Sequence, residues 1–316
     1  PKPGGSSGPV YATFRGLAMP AIEVKNLKKS YGSLVAVDGI SFEVERGECF
    51  GLLGPNGAGK STTIHCVVGA LRPDSGEVRL DGEADPTRPS VRAKVGVAPQ
   101  PIALYEDLTA EENLEFFGKL YNLGGDVLKT RIEMALEFSG LAARRKDRVS
   151  TYSGGMQRRL NLVSGILHDP PVILLDEPTV GVDPQSRNLI FDNIEALKRL
   201  GRTIVYTTHY MEEAQRLCDR VAIIDQGRIL ALDTVEGLLR AHGGPPTVEV
   251  EFARKPAGLE DLGGEWEENR LRVRTDRPME VLGRIAGMRD AFQHVSIEQA
   301  DLEAVFLHLT GKKLRD

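Results

Sequence analysis

The chain has 316 residues, 41% hydrophobic and 27% charged, which is a globular rather than a disordered composition and is long enough for one large and one small domain. A formal net charge of -5 excludes the whole-molecule basic field of a nucleic-acid binder, and no run approaches the roughly 18 to 20 apolar residues of a membrane helix. Cys49, Cys66 and Cys218 cannot all pair and share no metal-ligand spacing, which reads as a reducing cytoplasm.

In chain order, residues 1–18 begin in a Pro/Gly/Ser-rich run and contain no apolar signal core, so they read as a tag remnant or disordered extension, with Met19 a natural start. From Ala21 to about Gly244, apolar runs rich in β-branched residues alternate with helix-like segments, the pattern of βαβ units around a mainly parallel sheet. Buried strands are predicted at Cys49–Leu53, Lys94–Ala98, Val172–Leu175 and Thr203–Thr207. Between them, about residues 101–168 turn helical, with Leu114, Phe117, Leu120 and Tyr121 as an apolar stripe, predicting a helical subdomain inserted into the α/β core. The run VAIIDQGRILA predicts two strands around an Asp225–Gln226–Gly227 turn, and a short helix then leads to Gly243–Gly244–Pro245–Pro246, where the domain boundary is placed. Residues 245–316 read as a small α+β appendage, with strands Thr247–Phe252 and Arg270–Val273 and helices Met279–Ala286 and Leu302–Leu309.

Residues Gly54, Pro55, Asn56, Gly57, Ala58, Gly59, Lys60 and Ser61 fit G-x-x-x-x-G-K-S, extended by Thr62, and they follow a predicted strand and open a helix. Such a loop curls so that successive N–H groups face one anion, Lys60 reaches the β- and γ-phosphates, and Ser61 holds magnesium. Downstream, the strand Val172–Leu175 runs into Asp176 and Glu177. Adjacent strand side chains point apart, so Asp176 serves the magnesium while Glu177 orients or deprotonates the attacking water. ATP and Mg2+ are the ligands these two segments predict together.

With Tyr152–Ser153–Gly154–Gly155–Met156 ahead of a helix predicted over Gln157–Ile166, the chain resembles the ATP-binding-cassette family over about residues 21–244, and so resembles a magnesium-dependent ATPase. The resemblance implies a P-loop NTPase cassette: a RecA-like mainly parallel core, an antiparallel β subdomain and the helical insert, here followed by the appendage. It implies that Ser153, Gly154, Gly155 and Met156 act in trans, capping the γ-phosphate of a nucleotide on the loop of a second cassette in a head-to-tail homodimer or pseudo-dimer. It further implies that Tyr31 stacks on adenine, that Gln100 reaches magnesium and the attacking water, that Asp183 lies at the dimer seam and that His209 contacts the γ-phosphate. His65, His168, His242, His294 and His308 match no ligand spacing, and Trp266 reads as a packing anchor.

Tyr152 and Met156 depart from the commonest form of that motif and, with the ending DLEAVFLHLTGKKLRD, resemble the daunorubicin-resistance-like exporter branch, whose cassettes are separate from their membrane subunits. The resemblance then implies a separate transmembrane permease, docked near ALYEDLTAEENLEFF just after Gln100, with the chain on the cytoplasmic face of the membrane and no nucleic-acid partner. A soluble cassette ATPase of the translation-factor or DNA-repair kind is the alternative. On the last helix, Leu302, Val305, Phe306 and Leu309 form an apolar face expected to pack the appendage.

Overall fold

A computed structural model describes residues 19–256, 262–286, 292–298 and 301–312; the extension expected over residues 1–18 lies outside these. Two long strands open the fold, β1 (Ile22–Tyr31) and β2 (Leu34–Val44), joined by a two-residue turn at which Gly32 takes φ 60°. They are followed by β3 (Cys49–Leu53), α1 (Lys60–Val67), β4 (Ser75–Leu80), the single turn α2 (Pro89–Arg92) and β5 (Val95–Ala98). Three helices come next: α3 (Ala110–Leu120), α4 (Gly125–Phe138) and α5 (Gly154–Ile166). The chain then alternates β6 (Val172–Asp176), α6 (Pro184–Arg199), β7 (Thr203–Thr208), α7 (Met211–Leu217), β8 (Arg220–Asp225), β9 (Arg228–Thr234) and α8 (Val235–His242).

Six strands pair in the order β5-β6-β7-β3-β8-β9, parallel except for the β8–β9 hairpin, whose Gln226–Gly227 turn has φ above zero at both positions (48° and 75°). Parallel strands buried on both faces still sort their side chains by a period of two. Ile173, Leu175, Ile204 and Tyr206 enter one cluster with the helical insert, while Val172, Leu174 and Val205 enter another with α1 and the small sheet β2-β1-β4. The three-stranded sheet is antiparallel, with Ile22 opposite both Val44 and Leu80. β6 and β7 each run one residue past the predicted strand, and β5 starts one later.

Two expectations are corrected in the helices. Leu120 is 62% exposed and lies off the buried stripe of α3, because six residues at 100° each turn it roughly 240° from Leu114. The buried face is Ala110, Asn113, Leu114 and Gly118, with Phe117 and Tyr121 half-buried on the same side. The helix predicted over Gln157–Ile166 starts three residues earlier, at Gly154, with Ser153 as N-cap accepting from the Met156 amide at 3.3 Å.

The C-terminal unit contains β10 (Thr247–Phe252), β11 (Glu265–Glu267), β12 (Arg270–Arg274), α9 (Pro278–Ala286), β13 (Phe292–Glu298) and α10 (Leu302–Thr310), with an antiparallel sheet ordered β11-β12-β10-β13. Val248, Val250, Phe252, Leu271, Val273, Val281 and Ile285 form its own core, and Trp266 lies against Phe252 with centroids 5.6 Å apart. The last helix does not join that core. Leu302, Val305 and Phe306 are buried in the cluster of the α/β core and helical insert, with Leu309 packed on it, and the Leu302 amide donates to Gln215 Oε1 on α7. The apolar face read from sequence is therefore real, but its partner is the large unit.

Candidate functional site

Parallel strands aim their C-terminal ends at one edge, and four of them deliver the predicted residues there. β3 opens into residues 54–59, β5 leads to Gln100, β6 ends at Asp176, and β7 ends one residue before His209. The loop after β3 is fixed by Gly54 N donating to Thr208 O, and by Gly59, whose φ of 103° and whose approach to Ala36 leave no room for a side chain. A Cβ on Gly59 would stand 2.3 Å from Ala36 O.

A cleft of about 390 Å3 lies over this loop, lined by Asn56, Gly57, Gly59, Lys60, Ser61 and Thr62, with Tyr31, Gln100 and Glu177 around it. Tyr31, the last residue of β1, is 49% exposed at its rim. Pro55 lies in the same loop, and Ala58 is buried beneath it. Lys60 is buried at the first position of α1, where Nζ donates to Gly54 O (2.8 Å) and Pro55 O (3.1 Å) and meets Glu177 Oε1 at 2.9 Å.

Three predicted residues converge on Glu177. Besides Lys60, Gln100 Nε2 donates to Oε2 at 3.2 Å, and His209 Nδ1 meets Oε1 at 3.3 Å and must carry its proton to donate there. The route by which Glu177 gets there differs from the sequence expectation. The strand stops at Asp176, and Glu177 takes φ 46°, a left-handed conformation that costs a non-glycine residue roughly 1–2 kcal/mol. A kink, not strand alternation, separates the two carboxylates. Asp176 is buried and accepts from Thr207 Oγ1 at 2.6 Å, while the same hydroxyl accepts from the Glu177 amide at 2.9 Å.

Ser61, Gln100 and Asp176, the predicted magnesium set, offer a hydroxyl, an amide oxygen and a carboxylate, all oxygen donors as a hard cation requires. With Gln100 Nε2 committed to Glu177, its amide oxygen is the free end. Among the described residues no group of three or more His, Cys, Asp or Glu side chains is gathered as a metal cage. One carboxylate supplemented by substrate phosphates is how magnesium is commonly held, so the residues fit that ion.

The segment Ser153–Met156 does not line this cleft. It sits at the start of α5, against the N-terminus of α6. There Asp183 caps α6 by accepting from the Ser186 amide at 2.9 Å, and that donation holds the Asp183 carboxyl below its usual range. A side chain at Gly155 would collide with Ser186 Oγ at 2.3 Å, so this close approach of two helix starts requires glycine.

Sequence reasoning missed Arg158, Asn161 and Thr207. Arg158 donates to Gln100 O and to Val180 O, and Asn161 bonds both Pro99 O (3.2 Å) and the Ala103 amide (3.1 Å), so α5 holds the Gln100 loop from one side. Burial lowers the Arg158 pKa, opposed by the charges of Glu177 and Asp176, and the guanidinium stays charged. Basic and amide residues inside a predicted helix carry no local sign of such a role.

The family model described as ABC transporter matches residues 37–180. The linearmycin resistance ATP-binding protein LnrL of Bacillus subtilis (strain 168) is 40% identical over 93% of this chain and 100% of its own length. The Nod factor export ATP-binding protein I of Paraburkholderia xenovorans (strain LB400) is 42% identical over 94% of this chain and 99% of its own. Among solved structures, an ATP-binding subunit of an ABC transporter superposes with TM-score 0.64 at 32% identity, covering 71% of this chain and 93% of that one. A dimeric post-hydrolysis state of the cassette MJ0796 bound to ADP and Pi superposes with TM-score 0.62 at 26% identity, covering 67% and 98%.

Proposed function

The chain belongs to the ABC transporter family as an ATP-binding, ATP-hydrolysing subunit, and from that premise we propose that it forms a head-to-tail dimer with two nucleotides at the seam and drives a separate membrane permease that exports its cargo. The observation that carries the reading is the convergence of Lys60, Gln100 and His209 on Glu177 in a cleft that Ser153–Met156 do not reach. A cassette so built has the carboxylate for hydrolysis but must receive its second γ-phosphate cap from another molecule.

In this reading Tyr31 takes the adenine face, the amides of residues 54–62 cradle the phosphates, and Lys60 transfers from Glu177 to the β- and γ-phosphates. Released from that pair, Glu177 orients the water and accepts its proton as the water oxygen bonds the γ-phosphorus. The bond from that phosphorus to the bridging oxygen then breaks, giving ADP and phosphate. Gln100 holds the carboxylate and His209 Nδ1–H stays on it, while Asp183 faces the partner across the seam. Magnesium, when bound at Ser61, Gln100 and Asp176, neutralises the charge that develops on the phosphate oxygens.

Both named relatives are resistance or export ATP-binding proteins, which supports export as the direction. Among the described residues no helix is long and apolar enough to cross a membrane, so the permease is a separate chain in this reading, with the ATPase peripheral on the cytoplasmic face.

The test is the Glu177→Gln protein with ATP and magnesium. It should form a long-lived dimer with two ATP molecules by size exclusion and scattering while hydrolysis falls at least about a hundredfold. Adding Ser153→Ala should remove the dimer and leave nucleotide binding to the monomer intact. Wild-type turnover in the first variant, or an undisturbed dimer in the second, defeats the reading.

A further inference from the structure

We propose that Glu213, outside the cleft, is a positioning residue that ties the turn carrying Glu177 to the turn carrying His209 and so sets the rate of hydrolysis. Its side chain is 2% exposed in the first turn of α7 and accepts three hydrogen bonds. Thr179 Oγ1 donates to Oε1 at 2.7 Å, Tyr206 Oη donates to Oε2 at 2.9 Å, and Thr208 Oγ1 donates to Oε2 at 2.7 Å. All three hydroxyls are themselves buried.

The placement gives this network a task beyond packing. Thr179 lies two residues after Glu177, in the turn closed by Val180 N donating to Glu177 O at 3.3 Å. Thr208 lies one residue before His209, and its hydroxyl also accepts from the Tyr210 amide at 2.9 Å, so its single proton goes to Glu213. The carboxylate therefore joins the segments on either side of the Glu177–His209 contact, from behind. β6 and β7 are parallel neighbours with Asp176 opposite Thr207, which brings both turns within reach of one side chain on the helix that follows β7.

Glu177 needs that support because its left-handed backbone is held only where its surroundings overdetermine it. Ahead of it the Asp176–Thr207 bond fixes the strand end, and beyond it Thr179 is the first side chain anchored to another element. An ionised carboxylate suits three hydroxyl donors, whereas an amide at the same place offers an N–H to oxygens that already point their protons at it. Loosening the pin moves Glu177 relative to the water and γ-phosphate, a displacement that lowers turnover without touching the phosphate cradle.

The proposal rests on Glu177 being the hydrolytic carboxylate, and its test separates the two. With the full chain, ATP hydrolysis is measured for Glu213→Gln, Thr179→Val and Thr179→Ser, alongside Glu177→Gln. The first two are expected to lose kcat by about tenfold or more with the KM for ATP within about twofold of wild type, while Thr179→Ser, which keeps the hydroxyl, keeps kcat. Should Glu213→Gln fail to fold, the Val and Ser pair at position 179 decides. Unchanged kcat in Thr179→Val, or equal loss in Val and Ser, overturns the pin. Wild-type hydrolysis by Glu177→Gln overturns instead the reading of the site beneath it.

Discussion

Lys60 and Glu177 form a buried ion pair, 4% and 5% exposed, and in the proposed reading they are the cation for phosphate and the carboxylate for water. Buried opposite charges keep each other in place because each pays the desolvation of the other only while they touch, and removing one strands its partner. Lys60→Ala should therefore do two things: weaken ATP binding, and lower stability by about 1–3 kcal/mol because Glu177 loses its lysine and keeps the Gln100 amide and the His209 ring as side-chain partners. The double variant Lys60→Ala with Glu177→Gln separates them, recovering the thermal midpoint but not the nucleotide affinity. Titration of nucleotide and thermal denaturation of the two variants beside wild type check this, and unchanged ATP affinity in Lys60→Ala would sink the phosphate role.

At the scale of elements, the question is what α3 and the segment before it present outward. Tyr105 and Phe116 are 50% and 37% exposed and meet edge to face at 4.8 Å, with Phe117 beside them, directly after the Gln100 loop that Arg158 and Asn161 hold to α5. A contact here would pull on Gln100, and through it on Glu177 Oε2. A photo-crosslinker placed at Tyr105 should capture the permease in membranes, while one at Met134, on α4, should not; the reverse pattern removes this face as the docking site. The phosphate loop, its carboxylate strand and the helical period between them were legible in the sequence, because all three are local signals. What it could not supply was the turn at Glu177, whose left-handed backbone has no local cue, or the face of Leu120, which a run of apolar letters misplaced by a part-turn of helix. Arg158, Asn161, Thr207 and Glu213 stayed hidden for another reason. Each acts through a partner 31 to 62 residues away or on a neighbouring element, and no spacing rule announces such a pair.

For the molecule as a whole, the point at issue is whether the C-terminal unit is a tethered passenger. Its sheet has a core of its own, yet the chain returns from β13 to lay α10 on α7 and α8, burying Leu302, Val305 and Phe306 among residues of the large unit. α7 is the helix that carries Glu213 and begins two residues after His209, so the seat of α10 is one element from the proposed hydrolytic site. The two named relatives match over 93% and 94% of this chain, a span that takes in most of residues 245–316, whereas the two solved cassettes match over 71% and 67%. Truncating Phe306, 3% exposed, to Ala removes a buried ring at the cost of about 3–5 kcal/mol, and that cost should fall on the cassette. In a domain of this size such a loss lowers the midpoint by roughly 10 °C. The cassette's transition is identified by its upward shift with ATP and magnesium, since only the state that binds nucleotide gains from it. Phe252→Ala is the contrasting variant, because its ring belongs to the small core with Val248, Leu271 and Trp266. Thermal denaturation with and without nucleotide should show the ATP-sensitive midpoint falling in Phe306→Ala and holding in Phe252→Ala. If Phe306→Ala leaves that midpoint in place, α10 is not part of the cassette's core, and the C-terminal unit rests on it without bearing its weight.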